Sequence, residues 1–163
     1  ILLLSSFKKI GVLVTSFTIS HSLTLILAGL GLVTLSPRII EPVIALSIAY
    51  MAGRNIWNLH KKTFDPFRER LFGTFGFGLI HGLGFAGALK EIAIPANYFL
   101  SAIFTFNIGI EIGQIALLLL VLPALKYIEI KNFSWRYTLL KLISLLIIIV
   151  SLGLFIERII YAR

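Results

Sequence analysis

Residues 97–122, NYFLSAIFTFNIGIEIGQIALLLLVL, decide the fold class, because this stretch holds a single charged residue, Glu111. An α-helix needs roughly 20 mostly apolar residues to cross a hydrocarbon core about 30 Å thick. The stretch meets that length and is too long for a typical strand. A backbone that faces lipid must also satisfy its own hydrogen bonds, which favours a helix. We therefore predict a membrane-spanning helix here.

Four further stretches have the same apolar character, so we predict an all-α fold, a polytopic transmembrane bundle forming one domain over residues 1–163. The five predicted helices cover about residues 10–35, 39–59, 71–89, 97–122 and 139–160. Pro37, Pro95 and Pro123 lie just outside them and set their ends, because proline cannot continue a helix. The chain begins with Ile1 inside an apolar run. We therefore expect it to be N-terminally incomplete, with six membrane helices in the complete protein.

Composition supports the membrane interpretation over a soluble or nucleic-acid-binding one. Of 163 residues, 58% are hydrophobic and 13% are charged, whereas soluble domains carry about 25% charged residues. The net charge is +8, but the basic residues fall in short clusters between apolar runs, so we expect no nucleic-acid partner. The chain has no cysteine, which excludes disulfides, thiolate metal sites and thiol catalysis.

Positive charges are unevenly divided between the two sets of helix ends, and short cytoplasmic loops hold an excess of Lys and Arg. One set of ends carries Lys8, Lys9, Arg54, Lys61, Lys62, Arg68, Arg70, Lys126, Lys131, Arg136 and Lys141. The other set carries only Arg38, Lys90, Arg158 and Arg163. We therefore predict that the second and fourth connections are cytoplasmic and that the C-terminus lies outside.

Three predicted helices carry a titratable residue near their centres, namely His21, His81 and Glu111. Such a group costs at least about 2.5–3.5 kcal/mol in the bilayer centre, so it usually persists for a functional reason. Asn107 and Gln114 share the helix face of Glu111, because residues three or four apart lie on one side. Glu41 lies near the predicted outer end of the second helix.

These residue types suit a divalent transition metal. Imidazole nitrogen with carboxylate and amide oxygen fits Ni²⁺, Co²⁺ or Zn²⁺, and the lack of thiolate argues against Cu(I). The predicted metal ligands are His21, Glu41, His81, Asn107, Glu111 and Gln114. A structural interpretation stands beside this one, because a membrane histidine often only hydrogen-bonds across a helix pair. The glycines of the third helix, and Gly109 with Gly113, are most simply helix-contact surfaces.

Several stretches of this chain resemble consecutive membrane motifs of the HupE/UreJ family of hydrogenase and urease accessory proteins. They are TSFTISHSLTLILAGLGLVTLSPRIIEPVIALSIAY (15–50), FGFGLIHGLGFAGAL (75–89), FNIGIEIGQIALLL (106–119) and LGLFIER (152–158). The first three cover four of the five predicted helices in family order. Members usually also carry an upstream helix with a histidine and an Asp-His pair, which is absent from this chain.

The resemblance implies a multi-pass protein of the bacterial inner membrane, a nickel or cobalt permease that supplies metalloenzyme maturation. Its expected partners are the lipid bilayer, the metal ion and a metallochaperone or the maturation machinery. The family's polar motif positions correspond to the six predicted ligands. In this hypothesis the ion is the cargo, the histidines bind it, Glu111 compensates its charge, and the amides orient Glu111.

The permease hypothesis makes the protein a transporter and not an enzyme. Two alternatives of other classes remain open at this stage. One is an intramembrane metal-dependent hydrolase, with Zn²⁺ on the histidines and Glu111 as general base. The other is a membrane protein with bis-histidine haem ligation by His21 and His81.

Overall fold

The computed structural model of the protein describes residues 7–61, 66–91 and 95–161, and the regular structure in these ranges is all helical. Its five long helices are α1 (Phe7–Gly29), α2 (Pro37–Lys61), α3 (Phe67–Glu91), α4 (Phe99–Lys131) and α5 (Phe133–Tyr161), with a 3-10 turn at Ala96–Tyr98. The predicted all-α fold is confirmed. The expectation of an incomplete N-terminal end falls on residues 1–6, outside the described ranges.

Four of the five helices, α1, α2, α4 and α5, are long and apolar enough to cross a membrane. The α3 helix is not among them. It begins with the charged run Arg68, Glu69 and Arg70, and its apolar part, 71–89, is rich in glycine, which adds little hydropathy. The membrane class of the fold therefore has direct support, and the fifth span stays a prediction.

The first helix ends at Gly29, six residues before the predicted end, because the chain turns there through a glycine-dependent cap. Gly31 has a φ of +75°, a conformation that glycine adopts without strain. The Leu32 amide donates to the Leu27 carbonyl at 2.9 Å, and the Gly31 amide donates to the Ala28 carbonyl at 3.1 Å. This pair of bonds is the Schellman pattern, which satisfies the last carbonyls of a helix.

The fourth helix continues through Pro123, so the prediction that it ends before this residue is wrong. Proline removes one hydrogen bond and crowds the carbonyl four residues earlier, but such interruptions are tolerated in membrane helices. The flanking segments, rich in leucine and alanine, favour helix strongly enough to continue on both sides. At 33 residues, α4 is roughly 50 Å long and exceeds the hydrocarbon thickness.

Asn132 forms the corner between α4 and α5. Its amide donates to the Ile128 carbonyl at 2.8 Å and ends α4. Its side-chain oxygen accepts the amides of Ser134 and Trp135 at 3.0 and 3.2 Å, which is the arrangement of a helix N-cap. The cap explains why α5 begins at 133, six residues before the predicted start.

In the described residues each helix contacts two others, in the order α3, α1, α4, α5, α2 and back to α3. Helices that are adjacent in sequence are therefore not always neighbours, since α1 lies between α3 and α4. The α1 helix is the most buried of the four membrane-type helices, and α4 is the least buried. The outward faces of α4 and α5 are apolar, as expected for a surface that meets lipid.

Glycines allow α1 and α3 to approach closely. A Cβ added at Gly78 would lie 2.6 Å from the Phe17 carbonyl oxygen, and one at Gly82 would collide with the His21 carbonyl and the Thr24 hydroxyl. The Thr24 hydroxyl also donates to the α3 backbone, at the Leu79 carbonyl, over 2.9 Å. The predicted role of the α3 glycines in helix contact is confirmed at these positions.

The other predicted glycine pair behaves differently. No atom lies within 4 Å of a Cβ added at Gly109 or Gly113. These two glycines therefore mediate no helix contact with the described part of the chain, and the contact interpretation is wrong for them within it. The two glycines lie on the outward side of α4, because the inward side of the helix carries Asn107, which is 7% exposed.

We predict that Gly82→Ala destabilises the protein, because the new methyl group meets a backbone carbonyl that cannot move independently of α1. Overpacking of this kind costs typically about 1–3 kcal/mol, against a helix-propensity gain of about 1 kcal/mol. Thermal unfolding of detergent-solubilised protein measures the difference. Gly76→Ala is the matched control on the same helix, since nothing lies within 4 Å of its added Cβ. Equal midpoints for the two variants would contradict the account.

We also expect the predicted orientation to appear in thiol labelling. Because the chain has no cysteine, Ser36→Cys and Ser134→Cys each introduce one thiol, the first between α1 and α2 and the second in the first turn of α5, next to the corner with α4. A membrane-impermeant maleimide applied to intact cells should label only the first variant, and both after permeabilisation. Labelling of only the Ser134→Cys protein in intact cells would invert the orientation.

Candidate functional site

The centre of the bundle holds His21, which α1 directs between its two neighbouring helices. Its side chain is 1% exposed. Its ring stacks on Phe17 at a centroid distance of 5.8 Å and meets the edge of Phe85 from α3 at 5.6 Å. Phe106 of α4 lies at 6.4 Å. Three phenylalanines from three helices therefore surround this imidazole.

The His21 ring is buried, and it has no hydrogen-bond partner among the described residues. Within residues 7–61, 66–91 and 95–161, neither Nδ1 nor Nε2 meets a donor or an acceptor. A buried polar group left unpaired costs about 1–3 kcal/mol, so natural proteins rarely keep one without a ligand or a function. Within the described part of the chain, His21 therefore makes no hydrogen bond across a helix pair of the kind that the structural interpretation assumes.

His81 of α3 lies beside the same phenylalanine. The Phe17 ring meets the His81 ring edge-on at 5.7 Å, with 70° between the planes. The two histidines that the sequence analysis placed at mid-depth therefore contact the same phenylalanine ring, Phe17.

Ser47 of α2 contacts His81 and was missed by the sequence analysis. Its Oγ lies 3.2 Å from His81 Nε2, and the residue is 7% exposed. A serine in a membrane helix commonly bonds to its own backbone, so the residue type alone gives little indication of a site. Its position near the centre of the second predicted helix was the only available signal.

The α4 helix presents its two predicted amides toward the interior. The Asn107 Nδ2 donates to the Ile103 carbonyl at 2.8 Å, while its buried Oδ1 has no partner among the residues that the structure describes. The same holds for the buried Oε1 of Gln114. Both unpaired atoms are carbonyl oxygens, which can only accept a hydrogen bond or bind a cation.

Glu111 lies on the same face of α4 but at a different depth from the histidines. It accepts a hydrogen bond from the Thr15 hydroxyl of α1 at 3.3 Å. Thr15 precedes His21 by six residues, which is roughly 9 Å along a helix axis. Within the described ranges no group of three His, Cys, Asp or Glu side chains is placed to hold one metal ion. Glu111 thus contacts Thr15, whereas both histidines contact Phe17, and the convergence of the three side chains on one ion stays a prediction.

Glu41 lies on the opposite side of the histidine level. It forms an ion pair with Arg158 of α5 at 3.2 Å, and both side chains are partly exposed. Glu41 precedes Ser47 by six residues, again roughly 9 Å of helix. The structure thus places this carboxylate near one end of the bundle, as predicted, and gives it a cationic partner.

Comparison with known proteins gives a family match. The family model described as HupE / UreJ protein matches residues 1–158, nearly the whole chain. Neither a curated protein nor a solved structure matches the chain significantly. The extent of the family match, together with the membrane-type helices, agrees with the motif resemblance. The chain belongs to the HupE/UreJ family.

Proposed function

We propose that this protein is a membrane permease for a divalent transition-metal ion, with nickel or cobalt as the cargo. The observation that carries the proposal is the buried, unpaired imidazole of His21 beside His81. The family assignment and the four membrane-type helices support a protein of the membrane. We propose further that the protein lies in the bacterial inner membrane, with its C-terminus outside, and supplies metal to a metallochaperone or a metalloenzyme maturation system.

The chemistry of the unpaired atoms favours a cation as the ligand. A neutral imidazole offers one lone pair, and the free oxygens of Asn107 and Gln114 offer only lone pairs. An anionic ligand would be repelled by such a set, whereas a divalent cation would satisfy it. Mixed nitrogen and oxygen donors without thiolate suit nickel or cobalt better than copper(I). A bound ion would also offset the free energy that burial of these polar groups costs.

The spacing of the ligands along the bundle favours transport over permanent storage. The histidines lie between Glu41 on one side and Glu111 on the other, each displaced by roughly 9 Å along a helix. In the predicted orientation Glu41 is toward the outside and Glu111 toward the cytoplasm. An ion would enter near Glu41, bind at the histidines with Asn107, and leave past Glu111 and Gln114. Sites that bind weakly and in succession allow an ion to leave again.

The same geometry weighs against both alternatives. Bis-histidine haem ligation needs room for a whole porphyrin between two imidazoles, far more than a metal ion needs, and the rings of Phe17, Phe85 and Phe106 occupy the surroundings of His21. A hydrolase would need its general base within hydrogen-bond reach of the metal-bound water. The candidate base, Glu111, is instead bonded to Thr15 at another depth.

We predict that His21→Ala and His81→Ala each abolish uptake of nickel by cells that express the protein. Each variant removes one of the two imidazoles from the central site, and the single imidazole and amide oxygens that remain bind such ions more weakly. Uptake of a nickel or cobalt radioisotope, normalised to protein in the membrane, measures the effect. His60→Ala is the matched control, because His60, the remaining histidine of the chain, is exposed in the last turn of α2.

Normal uptake by both central variants would refute the permease proposal, and a loss of uptake in His60→Ala would show that the assay does not report on the centre.

We predict that Glu111→Gln also abolishes uptake while the protein is still inserted in normal amounts. The amide keeps the size of the side chain and an oxygen for the Thr15 hydroxyl, but it removes the negative charge that would compensate the ion. The same isotope assay, with immunodetection of the membrane fraction, separates transport from expression. Uptake at the wild-type rate would remove Glu111 from the pathway and leave the histidines as the centre.

A further inference from the structure

We infer that Ser47 is a positioning residue that holds the proton of His81 on Nε2 and so leaves Nδ1 free as the ligand atom. The hydrogen-bond part of this inference depends on the contacts around Ser47 alone. The ligand part rests on the proposed function, since it assumes that His81 binds the transported ion. Neither part follows from the family assignment.

The Ser47 hydroxyl proton is already committed to the backbone of α2. The Ser47 Oγ lies 2.7 Å from the carbonyl oxygen of Ile44. Two oxygens at that distance need a proton between them, and a carbonyl has none to give. The serine must therefore be the donor in this contact.

The second contact of Ser47 then has only one possible direction. With its proton on the Ile44 carbonyl, the Ser47 oxygen can only accept from His81 Nε2, 3.2 Å away. The Nε2 atom must therefore carry the hydrogen, and a neutral imidazole has its lone pair on the other nitrogen, Nδ1. No hydrogen bond from a described residue reaches Nδ1.

The two hydrogen bonds, from His81 to Ser47 and from Ser47 to the Ile44 carbonyl, also strengthen each other. A hydroxyl that donates to a carbonyl becomes a better acceptor, because hydrogen bonds in series polarise each other. Partners of this kind commonly set the tautomer and the direction of a histidine that ligates a metal. Ser47 has the geometry of such a partner.

Contacts along α2 and α3 keep Ser47 in register with His81. Gly84 leaves room for the Ile44 side chain on one side of the pair. On the other side, the Phe77 and Tyr50 rings lie 6.2 Å apart. The Phe17 edge contact limits rotation of the imidazole from the α1 side. The ring of His81 is thus held between α1 and α2. Its Nε2 is bonded to Ser47, and its Nδ1 has no hydrogen bond to a described residue.

Nitrogen NMR of metal-free, histidine-labelled protein tests the hydrogen-bond part directly. At about pH 9, above the range in which histidines ordinarily titrate, the spectrum shows which ring nitrogen carries the proton. The His81 signals are assigned by their loss in His81→Ala. We expect a protonated, hydrogen-bonded Nε2 and an unprotonated Nδ1. A proton on Nδ1 in the wild-type protein would overturn the inference without any variant.

Three serine variants separate the hydrogen bond from general disturbance. Ser47→Ala should shift the Nε2 signal toward that of an unbonded imidazole, and Ser47→Thr, which keeps the hydroxyl, should restore it. Ser101→Ala is the matched control, because the Ser101 hydroxyl likewise donates to a carbonyl three residues earlier, that of Tyr98 at 2.8 Å, and it bonds to no histidine in the described part of the chain. An unchanged His81 spectrum in Ser47→Ala would contradict the assigned bond.

Nickel affinity of the purified protein tests the ligand part. Ser47→Ala should weaken binding by about 10–100-fold, the usual effect of losing a partner of a metal-binding histidine, and Ser47→Thr should recover most of it. Unchanged affinity in Ser47→Ala, with the NMR result as expected, would refute the ligand part alone. Absence of nickel binding in the wild type would refute the proposed function and leave the hydrogen bond standing.

Discussion

The close contact of α1 with α3 is the constraint on which the rest of the structure depends. Gly78 and Gly82 remove the side chains that would keep these helices apart, and the Thr24 hydroxyl ties α1 to the α3 backbone. This contact buries His21 and brings it to the level of His81. In a membrane, where lipid is as apolar as leucine, small residues and interhelical hydrogen bonds supply such association.

The centre that results differs from a compact metal site with several strong ligands. Two imidazoles share the Phe17 ring at mid-bundle, and the carboxylates lie a turn or more away along the helices. Two amide oxygens of α4 are buried without partners in the described part of the chain. A set of weak, spaced donors is poor at retaining an ion and suited to passing one along, which is why we propose a permease and not a catalyst.

The sequence predicts the helices well and the site in part. Apolar runs of membrane length predict all five helices. His21 and His81 are selected as candidate ligands because a titratable side chain in the bilayer centre costs free energy. The depth of a residue in the membrane is predicted less well, because it is estimated from the two ends of its helix. The Gly31 cap shortens α1 and Pro123 does not end α4, so these ends differ from the predicted ones. Glu111 contacts Thr15 and not the histidines. Ser47 is missed because its role depends on which helix lies opposite, and periodicity within one helix does not contain that information.

The most direct test of the account is X-ray absorption at the nickel edge of purified, nickel-loaded protein that carries His60→Ala. In that variant the only imidazoles are those of His21 and His81, since the chain has three histidines. The account predicts scattering from two imidazoles, falling to one when His21→Ala is added, with the remaining donors being oxygen. A nickel ion surrounded by oxygen alone, or a spectrum that His21→Ala does not change, would contradict it.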